Sequence, residues 1–342
     1  MVELIEIIVL LVGFFVAWNI GANDAADSIG VSVGARIMKY KKAIIFVVVL
    51  AFIGAMLEGG KVGSTVGTGI VKPAPGSTVN PLISVPLATI GALLAAGTWM
   101  LFASIKGLPI SVTQSMVGSV IGAGLVVTMM VPTLGASVQY GKLGTIGISW
   151  VTNPALAALF GYLLFRTVNF ALKRVKNLIL LNRIFSIIVL VAAAYGAYTL
   201  GANDLSTLTG VLNGYGAFGG QTYAVAIFAM AALTLGAFMF SKNVVQTVGS
   251  GITGLDPRSA FASQFGAALS VWFFVQLTIP VSSSQALIGS IAGVGLVKGA
   301  ETVNKKNLGR IGLIWVLTPF VTIGLSFLFG WLLVSAFPGV AA

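Results

Sequence analysis

The sequence of 342 residues contains no cysteine and no histidine. Without cysteine, the chain forms no disulfide, no thiol nucleophile and no thiolate metal site. Without histidine, it lacks the usual proton shuttle and the usual transition-metal ligand. An enzyme that depends on such groups is therefore disfavoured. Because the chain carries no Walker loop or other nucleotide motif, nothing indicates a requirement for ATP.

Charged residues are also scarce, since they make up 8% of the chain against ~25% in a typical soluble domain. The mean hydropathy of +1.03 and the 57% share of hydrophobic residues exclude a soluble globular protein, which needs a polar surface, and a disordered chain. No ~10-residue segments alternate between polar and apolar side chains, so a membrane β-barrel is not expected. We expect an all-α polytopic membrane protein with roughly 10–12 membrane segments.

The apolar segments mark the expected helices, because a membrane-spanning helix needs about 20 apolar residues. The first apolar run begins near Ile5, and nine more follow at 43–57, 82–104, 109–131, 145–169, 183–200, 222–240, 259–279, 281–297 and 311–336. Four glycine-rich pieces are shorter, and we predict that they form broken or re-entrant helices: 21–34, 63–71, 201–212 and 244–255.

Basic residues concentrate in three short clusters between apolar segments. The net charge of +11 could indicate nucleic-acid binding, but basic residues in short clusters between apolar segments are typical of the cytoplasmic loops of a membrane protein. Positively charged loops of membrane proteins stay in the cytoplasm, so we predict that all three clusters are cytoplasmic and that both termini lie outside. The clusters are Arg36, Lys39, Lys41 and Lys42; Arg166, Lys173, Arg174, Lys176 and Arg183; and Lys298, Lys305, Lys306 and Arg310.

The sequence contains an internal repeat. A Gly-Ala-Asn-Asp motif occurs at 21–24 and again at 201–204. The segments 107–125 and 278–296 are identical at eight of nineteen positions. Two further matches keep the same order in both halves, which makes chance repetition implausible: 65–70 with 247–252, and Trp150 and Pro154 with Trp315 and Pro319.

Equivalent loops of the two halves differ in charge. Residues 36–42 include four basic side chains, whereas their counterpart 213–221 has none. Residues 132–144 include one, whereas their counterpart 298–310 has four. The halves are therefore predicted to face opposite sides of the membrane, an arrangement typical of secondary transporters. We divide the chain into a first repeat at 1–170, a basic cytoplasmic linker at 171–183 and an inverted second repeat at 184–342.

Two aspartates, Asp24 and Asp204, occupy equivalent positions in apolar segments, where ionisable residues usually have a function. Capping of a helix start is the structural alternative. Carboxylate, amide and backbone carbonyl oxygens suit a cation such as sodium. Gly21 and Gly201, which begin the two motifs, would allow the helix to break around the ion. Asp27 either adds to this site or faces a cavity. The predicted cation ligands are Asp24, Asp204, Asn23, Asn203 and the carbonyls of Ala22 and Ala202.

A second pair of motifs follows Pro109 and Pro280, where hydroxyl residues and a glutamine open a glycine-rich apolar helix. Helix starts attract anions through unpaired N–H groups and the helix dipole, although capping or helix packing explains the same residues. Neither motif contains lysine or arginine, so a bound anion would depend on a bound cation. The predicted anion ligands are Ser111, Thr113, Gln114, Ser115, Ser282, Ser283, Ser284 and Gln285, with Asn23 and Asn203 between anion and cation.

The paired Gly-Ala-Asn-Asp motifs and the paired Pro-x-Ser motifs that end in Gln114 and Gln285 resemble the inorganic phosphate transporter family (PiT, also called PHO4). The resemblance extends from about Trp18 to Pro319. It implies a multi-pass protein of a prokaryotic plasma membrane that imports phosphate with sodium or protons, and it points to the residues named above. The family commonly has asparagine three residues after the motif aspartate, where this chain has Asp27 and Thr207. The large soluble central loop of some relatives is absent.

Several functions remain open at this point. A sodium-coupled phosphate symporter is the leading hypothesis, with proton-coupled symport of phosphate or a metal–phosphate complex second. An ion channel is a different class, but the inverted repeat favours alternating access. The expected partners are inorganic phosphate, sodium or protons, and the lipid bilayer. A homo-oligomer stays open, no nucleic acid is expected, and sodium is a co-transported ligand rather than a cofactor.

The inverted repeat predicts that residues 40 and 217 lie on opposite sides of the membrane. Because the chain has no cysteine of its own, Tyr40→Cys and Ala217→Cys each provide one labelling site. We expect a membrane-impermeant thiol reagent to label residue 217 from outside and residue 40 only after permeabilisation. Labelling of both from the same side would contradict the inverted arrangement.

Overall fold

Long helices follow the apolar segments closely. A computed structural model describes residues 2–34, 37–108, 110–250, 256–299 and 305–340. The helices are α1 (Val2–Gly34), α2 (Tyr40–Thr68), α3 (Pro81–Ser84), α4 (Pro86–Ile105), α5 (Val112–Met130), α6 (Tyr140–Leu172), α7 (Leu178–Thr199), α8 (Ser206–Tyr215), α9 (Thr222–Ser250), α10 (Pro257–Gln276), α11 (Ser283–Lys298) and α12 (Lys305–Ala336). Two short strands, β1 (Val71–Lys72) and β2 (Ser137–Val138), pair antiparallel.

The prediction of an all-α polytopic membrane protein is confirmed. Within the described ranges, eight helical segments are long and apolar enough to cross a membrane, and α7 and α8 together form one of them. The expectation of roughly 10–12 segments also included α10 and α11, which do not reach this threshold. Helix α10 contains buried serines and a buried glutamine, and α11 has only 16 residues.

Helix α1 is continuous through 21–34 and helix α2 is continuous through 63–68, so the prediction of separate half-helices at 21–34 and 63–71 is wrong except at 69–71, which follow the end of α2. The glycines serve close packing between helices instead. A Cβ on Gly21 would lie 1.9 Å from the carbonyl oxygen of Leu233 on α9, and one on Gly236 would lie 1.8 Å from that of Trp18 on α1. Small residues at such crossings let two membrane helices approach backbone to backbone.

The same crossing occurs a second time, between α2 and the end of α7 with the residues that follow it. A Cβ on Gly54 would lie 1.9 Å from the carbonyl oxygen of Tyr198, and one on Gly201 would lie 1.7 Å from that of Ala51. Each of these residues has its counterpart in the α1–α9 crossing about 180 positions away. This correspondence is what the predicted duplication would produce, with the first helix of each predicted half packed against the second helix of the other.

The second Gly-Ala-Asn-Asp motif lies in a distorted turn. Residues Leu200–Leu205 form a π-helical turn that joins α7 to α8 without ending the helix. A π-turn inserts one residue into the hydrogen-bond ladder and is frequent at functional sites. The predicted break at 201–212 is therefore a local distortion of a helix that continues to Tyr215.

The chain does break at the tips of two helical hairpins. Residues 106–111 separate α4 from α5, and residues 277–282 separate α10 from α11. The end of the first hairpin that lies away from its tip is beside the β1–β2 pair. The open end of the second is closed by an ion pair in which Lys298 Nζ lies 3.1 Å from Asp256 Oδ2. Helix α2 holds the second tip, because Thr65 Oγ1 donates to the carbonyl of Thr278 over 2.8 Å.

Helices α12 and α6 cover the first and second hairpin, respectively. Glycines again allow the close approach: a Cβ on Gly118 of α5 would lie 2.8 Å from the carbonyl oxygen of Pro319, and one on Gly289 of α11 would lie 2.3 Å from that of Pro154. These pairs are also equivalent in the predicted repeat. The starts of α5 and α11 thus come to lie in the centre of the helix bundle.

Within the predicted linker at 171–183, α6 ends at Leu172 and α7 begins at Leu178 with Asn177 as its cap, so the chain is non-helical only at 173–177. Some of the predicted features lie outside the described residues: Arg36 of the first basic cluster, Pro109, residues 251–255 of the fourth glycine-rich piece, and residues 300–304 of the third basic loop.

The glycine crossing predicts a large effect of a single methyl group. We expect Gly236→Ala to lower the thermal unfolding temperature in detergent or lipid, because overpacking costs about 1–3 kcal/mol and here the contact is with backbone. The matched control is Gly324→Ala on α12, where a Cβ meets nothing within 4 Å. Alanine favours a helix by about 1 kcal/mol over glycine, so the control should be neutral or stabilising. Equal effects of the two substitutions would contradict this packing.

Candidate functional site

The first Gly-Ala-Asn-Asp motif is in the buried part of α1. Asn23 and Asp24 are 0% and 1% exposed, respectively. Asn23 Nδ2 donates to the carbonyl of Leu108, in the tip of the first hairpin, over 3.2 Å. Among the described residues, Asp24 Oδ1 and Asn23 Oδ1 have no hydrogen-bond donor. The sequence analysis expected a helix break that would free the carbonyl of Ala22. Helix α1 is continuous here, so this carbonyl lies within the helix.

The second motif engages the tip of the second hairpin more tightly. Asn203 Nδ2 donates to the carbonyl of Val281 over 2.6 Å, and Asn203 Oδ1 accepts from the backbone N–H of Val281 over 3.2 Å. Asn203 Nδ2 also donates to Asp204 Oδ1 over 2.9 Å. Ala202 lies in the π-turn, where the regular ladder is interrupted. The two motifs are thus equivalent in sequence but differ in their hydrogen bonds.

Asp204 connects the two motif pairs that the sequence identifies. Ser283 Oγ, at the start of α11, donates to Asp204 Oδ2. Thr113 Oγ1, at the start of α5, lies 3.2 Å from Asp204 Oδ1 and 2.7 Å from the carbonyl oxygen of Val281, and its single hydrogen can serve either acceptor. The starts of both helices therefore meet at this carboxylate, where their dipoles favour negative charge.

Asp27 is the third carboxylate of the site. It is 4% exposed, and Ser284 Oγ donates to its Oδ2. Asp24 and Asp27 lie about one turn apart on α1, and Asp27 and Asp204 accept from adjacent serines of α11, Ser284 and Ser283, so the three carboxylates lie in one region. The ion pairs found in the described parts of the chain, Lys61 with Glu58 and Lys298 with Asp256, do not involve them.

The remaining serines mainly shape the helix starts. Ser111 caps α5 by accepting from the N–H of Gln114 over 3.0 Å, and Ser282 caps α11 by accepting from the N–H of Gln285 over 3.2 Å. Ser115 Oγ donates to the carbonyl of Ser111 over 2.8 Å. Each capping hydroxyl keeps its own hydrogen, so these residues act as caps and still have a donor available.

The two glutamines lie on another side of the helix starts. Both line a cavity of about 290 Å³ between α6 and α12, together with the equivalent tryptophans Trp150 and Trp315. Gln114 and Gln285 are 3% and 2% exposed, and their Oε1 atoms have no donor within the described structure. The structure therefore brings the threonine and serines at 113, 283 and 284 to the carboxylates, whereas the glutamines border a separate space.

Two buried amides were missed by the sequence analysis. Asn153 Nδ2 donates to the carbonyl of Ser282 over 2.9 Å, and Ser270 Oγ lies 2.9 Å from Asn153 Oδ1. Gln264 of α10 lines a small cavity beside Asp27 and is 5% exposed. Both are neutral side chains in apolar segments, and a search for ionisable or repeated residues does not select them. Polar residues in membrane segments as a whole would have been the useful signal.

This arrangement is suited to binding cations. Burying a carboxylate without a counter-charge costs several kcal/mol, even after relaxation. The described residues contain no group of three acidic, histidine or cysteine side chains arranged around one metal position. Hydroxyl and amide oxygens of the kind seen around Asp204 are suitable ligands for a hard ion.

Comparisons with known proteins identify relatives along almost the whole chain. The sequence pattern of the phosphate transporter family, PHO4, matches residues 20–326. A protein from Methanocaldococcus jannaschii named "Putative phosphate permease MJ0630" is 30% identical over 319 residues, which cover 93% of this chain and 95% of the relative. "Inorganic phosphate transporter 2-1, chloroplastic" from Arabidopsis thaliana is 26% identical, covering 96% of this chain and 72% of the relative.

A solved structure shares the fold. The chain described as "The sodium-dependent phosphate transporter" superimposes with a TM-score of 0.84 and covers 96% of this chain and 98% of its own length. Its sequence identity is 24%, so the similarity establishes the fold.

The unpaired carboxylates predict a change in stability that depends on the salt. In choline chloride, Asp24→Asn and Asp204→Asn should raise the thermal unfolding temperature, because each removes a buried charge that lacks a counter-ion. In sodium chloride at equal ionic strength, this advantage should shrink or reverse, because a bound cation stabilises the folded wild type. Glu58→Gln provides a control on a carboxylate that is already paired. Identical shifts in both salts would contradict cation binding.

Proposed function

Because the chain belongs to the phosphate transporter family, PHO4, we propose that it is a secondary active transporter that imports inorganic phosphate in symport with sodium. One observation carries the proposal beyond the family assignment. Two buried carboxylates, Asp204 and Asp27, accept hydrogen bonds from the starts of α5 and α11, and Asp24 is buried one turn before Asp27 on α1. Within the described residues, no ion pair gives any of the three a basic partner. The site therefore combines negative charge for cations with positive helix ends for an anion.

The cations belong at Asp24 and Asp204. The free Oδ1 of Asp24 and the hydroxyl-lined Asp204 each offer a formal negative charge, and neighbouring neutral oxygens complete a coordination shell. Sodium is favoured over a divalent metal, because the carboxylates do not converge on one point. The name of the structural neighbour points to sodium as well, although it speaks for that protein alone.

Phosphate belongs between the starts of α5 and α11. The positive ends of the two helix dipoles attract an anion there. The glutamine cavity of about 290 Å³ borders both helix starts and offers room for an anion. The amides of Gln114 and Gln285, with the hydroxyls of Ser111 and Ser282, would replace part of the hydration shell. No arginine takes part, so a bound cation must balance the remaining charge.

Alternating access follows from the proposed arrangement of the halves. The two hairpins are equivalent in the predicted repeat and are inverted relative to each other, so each tip would approach the site from one side of the membrane. Asn23 and Asn203 each hold a hairpin tip through hydrogen bonds to backbone atoms. Movement of one tip away from its asparagine would open the site on that side.

Uptake into proteoliposomes, with sodium and proton gradients imposed separately, tests the proposal. We expect an inward sodium gradient to accumulate phosphate and a proton gradient alone to fail. Asp204→Asn should abolish sodium-driven uptake, because the cation loses its formal counter-charge. Phosphate affinity should be at least about tenfold higher in saturating sodium than in choline at fixed pH, since coupled sites raise each other's affinity.

The same uptake assay distinguishes the two alternatives, proton-coupled symport and an ion channel. Accumulation driven by protons in choline would replace sodium with proton coupling. Phosphate flux that equilibrates but never accumulates under either gradient would indicate a channel.

A further inference from the structure

Asp27 is a buried carboxylate that is not explained by the pair Asp24 and Asp204. It lies about one helical turn after Asp24 on α1, and Ser284 of α11 donates to its Oδ2. Its Oδ1 is buried and has no donor in the described part of the chain. The equivalent position of the second half is Thr207, whose hydroxyl donates to the carbonyl of Asp204 over 2.7 Å. The first half thus carries one carboxylate more than the second.

A small cavity lies directly beside Asp27 and is lined by residues of helices α1, α7, α10 and α11. Its volume is about 20 Å³, which is enough for one water molecule or one small ion and far too small for phosphate. Gln264 of α10 and Ser283 of α11 also line this cavity. It is therefore separate from the larger space that Gln114 and Gln285 border.

Gln264, which also lines this cavity, carries a second unsatisfied oxygen. Its Oε1 is buried and has no donor among the residues that the structure describes. Its Nε2 packs against α7, where a Cβ on Gly196 would lie only 2.2 Å away. The absence of a side chain at residue 196 therefore makes room for this glutamine. Asp27 and Gln264 together provide one charged and one neutral oxygen acceptor around an ion-sized space.

The negative charge of Asp27 favours a cation over a water molecule as the occupant of this cavity. One water molecule would fit the cavity and could donate to both oxygens, but it would leave the carboxylate charge unbalanced. Asp24 and Asp204 lie close enough to increase that cost through repulsion. A monovalent cation satisfies both oxygens and removes the charge. A magnesium ion requires near-octahedral coordination and keeps several waters, for which one carboxylate and one amide oxygen are a poor match.

We propose that Asp27 and Gln264 bind a sodium ion of their own, separate from the cations at Asp24 and Asp204. The proposal rests on the proposed sodium symport and adds one ion to it. It also assigns a role to Asp27, a carboxylate whose counterpart in the second half is Thr207. Each transport cycle would then move one more positive charge than two cation sites allow.

Equilibrium dialysis of the purified protein with radioactive sodium, at saturating phosphate, counts the bound ions directly. We expect Asp27→Asn to bind one sodium ion fewer than the wild type, with phosphate binding retained. Gln264→Leu keeps the charge but removes a ligand, so the sodium concentration that half-fills this site should rise at least about tenfold. The matched control is Glu3→Gln, which removes an exposed charge from the same helix and should leave the count unchanged.

The outcomes separate this inference from the function on which it rests. An unchanged sodium count in Asp27→Asn, with sodium binding intact in the wild type, would overturn the inference and leave sodium symport standing; it is also the result that a water or a proton at Asp27 would give. If Asp27→Asn does not fold, an unchanged sodium titration in Gln264→Leu overturns the inference equally. A wild type that binds no sodium at all would overturn the proposed function itself.

Discussion

Uncompensated negative charge in a low-dielectric interior is the constraint on which the rest of the site depends. Asp24, Asp27 and Asp204 are all at least 96% buried, and they repel one another. Hydroxyls from the starts of α5 and α11 donate to two of them, which lowers the cost of burial but leaves the charge. In the proposed function, cations offset this cost, and their binding would then be coupled to that of an anion at the same helix ends.

Close helix packing brings these groups together. The carboxylates reach one another because α1 packs on α9, and α2 packs on the π-turn, at distances that only glycine allows. The covering helices α6 and α12 approach the hairpins at glycines 289 and 118 in the same way. Glycine therefore contributes to function indirectly here, by permitting backbone contact between the two halves rather than by breaking helices.

The sequence was informative about which residues matter and less so about how they are arranged. Composition predicted a helical membrane protein, and the repeated motifs selected Asp204, Thr113 and Ser283, which the structure places together. Periodicity could not show that α1 continues through Gly21, because a glycine that breaks a helix and one that packs a helix look alike in sequence. The direction of Gln114 and the presence of Gln264 depend on which neighbouring helix each residue faces, and only tertiary packing decides that.

The central claim is that cations, and not basic side chains, balance the buried carboxylates. A comparison of two high-resolution density maps, one in sodium and phosphate and one in choline without phosphate, tests it most directly. We expect the map in sodium and phosphate to show ion density at Asp24 and beside Asp204, with phosphate between the starts of α5 and α11. The map in choline should show no such density. A sodium map in which a lysine or arginine side chain contacts these carboxylates, and no ion does, would contradict the account.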